Sequence, residues 1–228
     1  LAKKKVITKK EKERALALYD ILEKTYPDAK CTLDFRSPFE LLVMTILAAQ
    51  CTDARVNIVC EDLFKRYKTL HDFADAKPGT LEKDIHSCGF YNQKARSIRG
   101  SARKILEEHG GEVPKSMEAL LELPGVGRKI ANAVLGECFH MPAVVVDTHC
   151  RRVSNRLGFT KQQDPEKIEI DLRALWREEQ WTMYSQYMVH HGRALCHARS
   201  PKCGECPCWD LCPWPEKKKY SRHDPSKT

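Results

Sequence analysis

Five of the chain's eleven cysteines fall between Cys196 and Cys212, in the stretch CHARSPKCGECPCWDLC. No other feature limits the fold so tightly. A loop this short has no core of its own, and so dense a set of thiols points to a metal centre as its staple. A disulfide scaffold is the wrong class. Such scaffolds belong to small secreted domains, whereas this chain has 228 residues, enough for one large core or two small ones. Cys196, Cys203, Cys206 and Cys212 are spaced C-x6-C-x2-C-x5-C, which suits either a tetrahedral zinc or a [4Fe–4S] cluster. Zinc ribbons divide their ligands into two close pairs, and this spacing does not. Cys208 offers a fifth thiol and an alternative register to Cys206. Spacing alone leaves zinc and iron–sulfur both open.

The rest of the chain reads as helix, so the expected fold class is all-α. KEKERALALYDILEKTY is amphipathic and stops before Pro27. SPFELLVMTILAAQ opens with Ser37 as N-cap, Pro38 at the first helical position and Glu40 three residues after the cap, the pattern of a capping box. Its interior from Leu41 to Ala49 is apolar on nearly all sides, which predicts a central, buried helix. Further helices are expected over 54–67, 80–87, 92–108, 117–122, 129–139, 148–157, 165–178 and 180–195, punctuated by glycines and an Asp164-Pro165 cap. PAVVVD, residues 142–147, is the one strand-like run and is expected to be a buried extended linker.

The net charge of +8 lies entirely at the two ends: residues 1–14 carry +5 and residues 215–228 carry +3. Two mobile basic tails are expected, serving solubility or attraction to nucleic acid. The start, LAKKKVITKKEKER, has no apolar run behind it, unlike a secretory signal. No apolar stretch nears the roughly 20 residues that cross a bilayer. A cytoplasmic location is the default expectation, at the nucleoid if DNA is the partner.

MEALLELPGVGRKIANAVLGECF places a Gly-rich turn between two helical segments. The turn amides and the second helix's N-terminus form an anion site that needs no base contacts, so it can grip any nucleic-acid backbone. Lys129 follows at once. Downstream, VVVDTHCRRVSNRLG supplies Asp147, well placed as an N-cap for the next helix.

The hairpin followed by Lys129, the VDTH stretch and the cysteine spacing together resemble the endonuclease III family of DNA base-excision glycosylases, over about residue 15 to Cys212. The resemblance implies a [4Fe–4S] cluster held by Cys196, Cys203, Cys206 and Cys212, with Cys208 a bystander and the cluster mainly structural. It implies that Leu123, Gly125, Val126 and Gly127 of the hairpin bind DNA, that Lys129 is the catalytic nucleophile and that Asp147 is the catalytic carboxylate, compatible with its capping role. AAQCTD matches the stretch in which a glutamine enters the duplex, giving Gln50, and CGFYNQKA matches the wedge loop, giving Phe90 where the family often has Leu. His149 aligns with a histidine near DNA, Arg199 and Lys202 lie in the cluster loop where they would meet phosphates, and His190 and His191 are expected to serve packing or the cluster's surroundings. Ile130 stands where relatives commonly carry Thr.

Two all-α lobes are implied: a six-helix lobe over 31–141 containing the helix–hairpin–helix at about 117–139, and a cluster lobe made of 1–30 plus 142–228. DNA is expected across the cleft, with Lys129 and Asp147 facing each other. The implied activity is bifunctional, with damaged duplex DNA as partner and the protein acting as a monomer: removal of oxidised pyrimidines, then a nick 3′ to the site by β-elimination through a Lys129 Schiff base. Three rivals stand beside it. They are a monofunctional mismatch glycosylase on the same scaffold, a non-catalytic DNA-binding module, and a zinc-stabilised helical protein.

Overall fold

The computed structural model describes residues 7–221, and among these there are helices and turns but no strand. The α-helices are α1 (Lys9–Thr25), α2 (Pro38–Leu47), α3 (Asp53–Arg66), α4 (Leu70–Ala74), α5 (Thr80–Asp84), α6 (Tyr91–Glu108), α7 (Met117–Leu121), α8 (Arg128–Phe139), α9 (Thr148–Arg156), α10 (Pro165–Arg173) and α11 (Trp181–Ala194). Seven of these starts follow side-chain chemistry. Thr8, Ser37, Thr52, Thr69, Ser116, Asp147 and Asp164 each accept a hydrogen bond from the amide three residues on. This satisfies donors that the helix itself leaves open. At α2 only half of the capping box forms. Ser37 accepts from the Glu40 amide, but the Glu40 carboxylate accepts from the Arg36 amide, at 2.7 Å, one residue earlier than the motif predicts.

Two compact units share the chain, one over Cys31–Met141 and the other drawn from Leu1–Lys30 and Pro142–Thr228. In the first, α2 is fully buried along Leu41, Leu42, Val43 and Met44 and packs against α3, α6 and α8. The unit holds seven α-helices where six were expected. The addition is α4, a single turn that Thr69 and Asp72 start with a reciprocal capping box. Too short to show a periodicity, it still buries Phe73 against Phe39, Phe64 and Tyr67.

In the second unit, Leu18 and Leu22 of α1 join Val153, Ile168, Leu172, Phe159 and Met188 in one core. Residues 142–147 belong to no helix or strand and link the units, with Val144 and Val146 buried and the Val145 amide donating to Ser185 Oγ at 2.9 Å. α10 ends at Arg173, not at 178, because the chain turns there to bury Leu175 and Trp176. Trp176 stacks on Tyr184, and its carbonyl accepts from Trp181 Nε1.

The basic tails are shorter than the charge pattern suggested. Lys9 to Arg14 form the first turns of α1, and Pro215–Tyr220 is a 3-10 helix. Lys217 is held there by the carbonyls of Trp209 and Cys212. Residues 1–6 and 222–228, which carry the remainder of both tails, lie outside the described residues. No helix among the described residues is long and apolar enough to cross a membrane.

Candidate nucleic-acid interface and active site

The turn between α7 and α8 is built by backbone geometry. The Val126 amide donates to Leu123 O, and Gly125 adopts φ +78°, open to glycine but strained for other residues. A Cβ on Gly125 would lie 2.5 Å from both Cβ and Oγ of Ser97, so the turn sits directly on α6. Gly100 leaves room for Pro124 on the same face, and Ser101 Oγ donates to Pro124 O at 2.9 Å. A stripe of small residues, Ser97, Gly100 and Ser101, thus forms the seat of the hairpin. The i, i+3, i+4 spacing in SIRGS was its only signal in the sequence, and the sequence reading passed over it.

Leu123 and Val126 are buried, so their side chains anchor the turn to the unit's core, as suits a hairpin expected to meet DNA through its backbone amides. Gly127 is the N-cap of α8 and offers no side-chain acceptor, so no capping side chain takes up the first amides of the helix. Open space surrounds the place of its missing Cβ. Lys129, in that first turn, is exposed, while Ile130 packs on the core. A primary amine therefore stands beside a positively polarised helix end.

Gln50 and Phe90, also in this unit, are both exposed and both left-handed, at φ 55° and 47°. Phe90 leaves 65% of its surface to solvent. The residue between these two loops is Lys94, whose ammonium is buried and donates to the carbonyls of Leu47, Ala49 and Cys88. The sequence reading did not single it out.

Asp147 and His149 belong to the other unit. Asp147 caps α9, its Oδ1 accepting from the Cys150 amide at 2.7 Å, and stays partly exposed. His149 Nδ1 lies 3.1 Å from Arg152 Nη2, and Gly192 of α11 is close enough that a Cβ there would meet the ring. α9 also carries the contacts to the cysteine loop. Arg152 donates to Cys196 O and Gly192 O, and Arg156 donates to His197 O and Ala198 O with Nη1 3.4 Å from Cys196 Sγ. Arg14 from α1 binds Leu157 O and Leu211 O. Arg199 and Lys202 on the loop are exposed. His190 bonds Lys30 O, and buried His191 lies between Tyr26 Oη and Cys206 Sγ, so both serve packing and the loop's surroundings.

None of the five cysteines of this region is joined in a disulfide. The four at the expected spacing influence one another: Cys203 is pushed up to about 11 by burial and by Cys196, Cys206 and Cys212. Cys208 is fully buried and donates to Cys206, and that bond, with His191, lowers Cys206 to about 4. His191, Cys206 and Cys208 bring ligand atoms within 4.8 Å of one another. That spacing suits a single ion. A cluster holds its cysteines at separate corners, and the wider set of four, ringed by Arg14, Arg152, Arg156 and Lys217, has the thiol donors and the surrounding positive charge that an anionic iron–sulfur centre requires.

Residues 43–178 match the model of the HhH-GPD superfamily base excision DNA repair proteins. Endonuclease III of Synechocystis sp. is 51% identical over 204 residues, covering 89% of this chain and 93% of that protein. A solved non-covalent complex of an endonuclease III with DNA superimposes with a TM-score of 0.87 at 42% identity, covering 94% of this chain and 98% of that one. An endonuclease III trapped as a covalent intermediate with DNA matches with the same TM-score and identity, covering 99% of its chain. With such identity across nearly the whole length of both chains, this protein belongs to the endonuclease III family and is a base-excision repair DNA glycosylase.

Proposed function

We propose that Lys129 is the nucleophile and Asp147 the carboxylate of a bifunctional DNA glycosylase and AP lyase acting on oxidised pyrimidines in damaged duplex DNA. The observation that carries this is the exposed Lys129 in the first turn of α8, the turn whose amides would hold a phosphate. With the nucleotide out of the stack, the amine nitrogen attacks the anomeric carbon. The glycosidic bond breaks, and its electrons leave with the base. Asp147 stabilises the positive charge that develops on the sugar. The nitrogen lone pair then forms the C=N bond of the Schiff base as the C1′–O4′ bond breaks and O4′ takes up a proton; loss of a C2′ proton expels the 3′ phosphate by β-elimination, and water hydrolyses the Schiff base to release the enzyme. A lysine amine is charged at neutral pH. The first proton must therefore pass to a base, Asp147 or water, with desolvation around the extruded nucleotide easing the transfer. Gln50 and Phe90 enter the duplex, the turn from Leu123 to Gly127 grips the backbone through its amides, and His149, Arg199 and Lys202 add contacts.

Cys196, Cys203, Cys206 and Cys212 would hold a [4Fe–4S] cluster, and Cys208 packs behind Cys206 without ligating. The cluster supplies structural order to the loop between Cys196 and Cys203. The protein acts as a monomer, on DNA in the cytoplasm.

Borohydride trapping on a duplex with one thymine glycol tests the chemistry. A covalent complex is expected, and its loss in Lys129→Gln. Base release without trapping would mean monofunctional hydrolysis, and neither outcome on any oxidised pyrimidine would leave only a binding protein.

A further inference from the structure

Lys94 is 4% exposed, yet it carries an ammonium group. Its three donors are all used: Nζ lies 2.7 Å from Leu47 O, 2.7 Å from Ala49 O and 2.8 Å from Cys88 O. Burial lowers its pKa, a sign of what this placement costs. Capping the end of α2 explains the bonds to Leu47 and Ala49, and a cation suits a helix C-terminus. It does not explain Cys88, which belongs to a different loop, and a glycine would end α2 without burying a charge.

The three acceptors bracket two exposed tips. Ala49 directly precedes Gln50, and Cys88 stands two residues before Phe90, whose own carbonyl accepts from the Lys94 amide at 3.0 Å. Cys51 and Cys88 lie near enough to influence each other's ionisation, which places the same two loops side by side. Gln50 and Phe90 are two of only four non-glycine residues with positive φ among the described residues. Such backbone persists only where its surroundings over-determine it.

We infer that Lys94 is a positioning residue that locks the Gln50 and Phe90 loops to each other, so that both side chains enter the duplex as one rigid pair. This rests on the reading of Gln50 and Phe90 as duplex-entering residues. Its function is in extruding the nucleotide, upstream of the chemistry at Lys129.

The experiment compares Lys94→Met, Gln50→Ala/Phe90→Ala and the triple variant on two substrates. One is a paired thymine glycol, which must be extruded. The other is the same lesion in single-stranded DNA, which needs no unstacking from a duplex. Lys94→Met should lose between about 10-fold and 100-fold in single-turnover rate on the paired lesion, with the single-stranded rate within about 3-fold of the parent. In the Gln50→Ala/Phe90→Ala background it should add nothing. Urea unfolding of each variant separates this from simple loss of fold. Should Lys94→Met fail to fold, Lys94→Arg takes its place: it keeps the charge but moves the donors, and the same selective loss is expected. If Gln50→Ala/Phe90→Ala costs nothing on the paired lesion, the underlying reading falls and this inference with it. If that pair is costly but the Lys94 variant is neutral, equally harmful on both substrates, or fully additive with the pair, the inference alone is overturned.

Discussion

Gly125 gives the most direct test of how the hairpin is seated. In Gly125→Ala the new methyl meets two penalties. The backbone stays at φ +78°, which costs an L-residue about 1–2 kcal/mol. The methyl also lands 2.5 Å from Ser97 Cβ and Oγ, on a helix whose face is buried at that point, and overpacking of this kind costs about 1–3 kcal/mol. The expected loss is about 2–5 kcal/mol in urea unfolding followed by helical circular dichroism. A double-mutant cycle separates the two terms. Ser97→Gly removes both clashing atoms at a cost of about 0.5–1 kcal/mol for a helical glycine, so the pair should recover about 1–3 kcal/mol relative to additivity. Affinity for undamaged duplex should fall with Gly125→Ala and return in part in the double variant, since backbone grip depends on the turn and not on base identity. An alanine variant as stable as the parent, or strict additivity with Ser97→Gly, would refute the seating of this turn on α6.

The cap and the carboxylate of Asp147 separate cleanly. Asp147→Asn keeps an oxygen for the Cys150 amide and should change stability by less than about 0.5 kcal/mol, while Asp147→Ala should cost about 1 kcal/mol; base release should fall at least about 100-fold in both, and an active Asn variant would remove the carboxylate from the mechanism. Arg99 donates to both Glu82 oxygens and the Gly79 amide adds a third bond, holding the Glu82 carboxyl at about 2, below its usual 4.5. A depressed carboxyl contributes stability that is present above the unfolded value and lost as pH falls through the folded one, so the urea midpoints of the parent and Glu82→Gln should differ at pH 7 and converge between about pH 4.5 and pH 2. Purified Cys208→Ala should retain its iron and Cys203→Ala should lose it; iron loss from both would make Cys208 a ligand.

What could be read from the chain alone was whatever depends on neighbours in sequence. Ser37, Asp147 and Asp164 announce their helices because a cap and the amide that it accepts are three residues apart. The apolar run of α2 announces its burial, and the cysteine spacing, the LPGVGRK turn and VDTH announce a family because each is a short, contiguous signature. α4 escaped because one turn is shorter than any helical period, and α10 was drawn too long because burial of Trp176, not a local stop signal, ends it. The charge at the two ends read as tails because charge does not reveal that Lys217 finds carbonyls five and eight residues back.

Only the tertiary structure turned Leu123 and Val126 inward, placed Ser97, Gly100 and Ser101 under the hairpin, and made Lys94 the tie between two loops. The Lys94 bonds reach 47 and 45 residues along the chain, and that from Ser101 reaches 23. A hydrogen-bond donor or a missing Cβ carries no mark in sequence of the distant backbone that it will meet. Those meetings follow from helix packing, and it is helix packing that decides where the chemically legible residues of this protein finally stand.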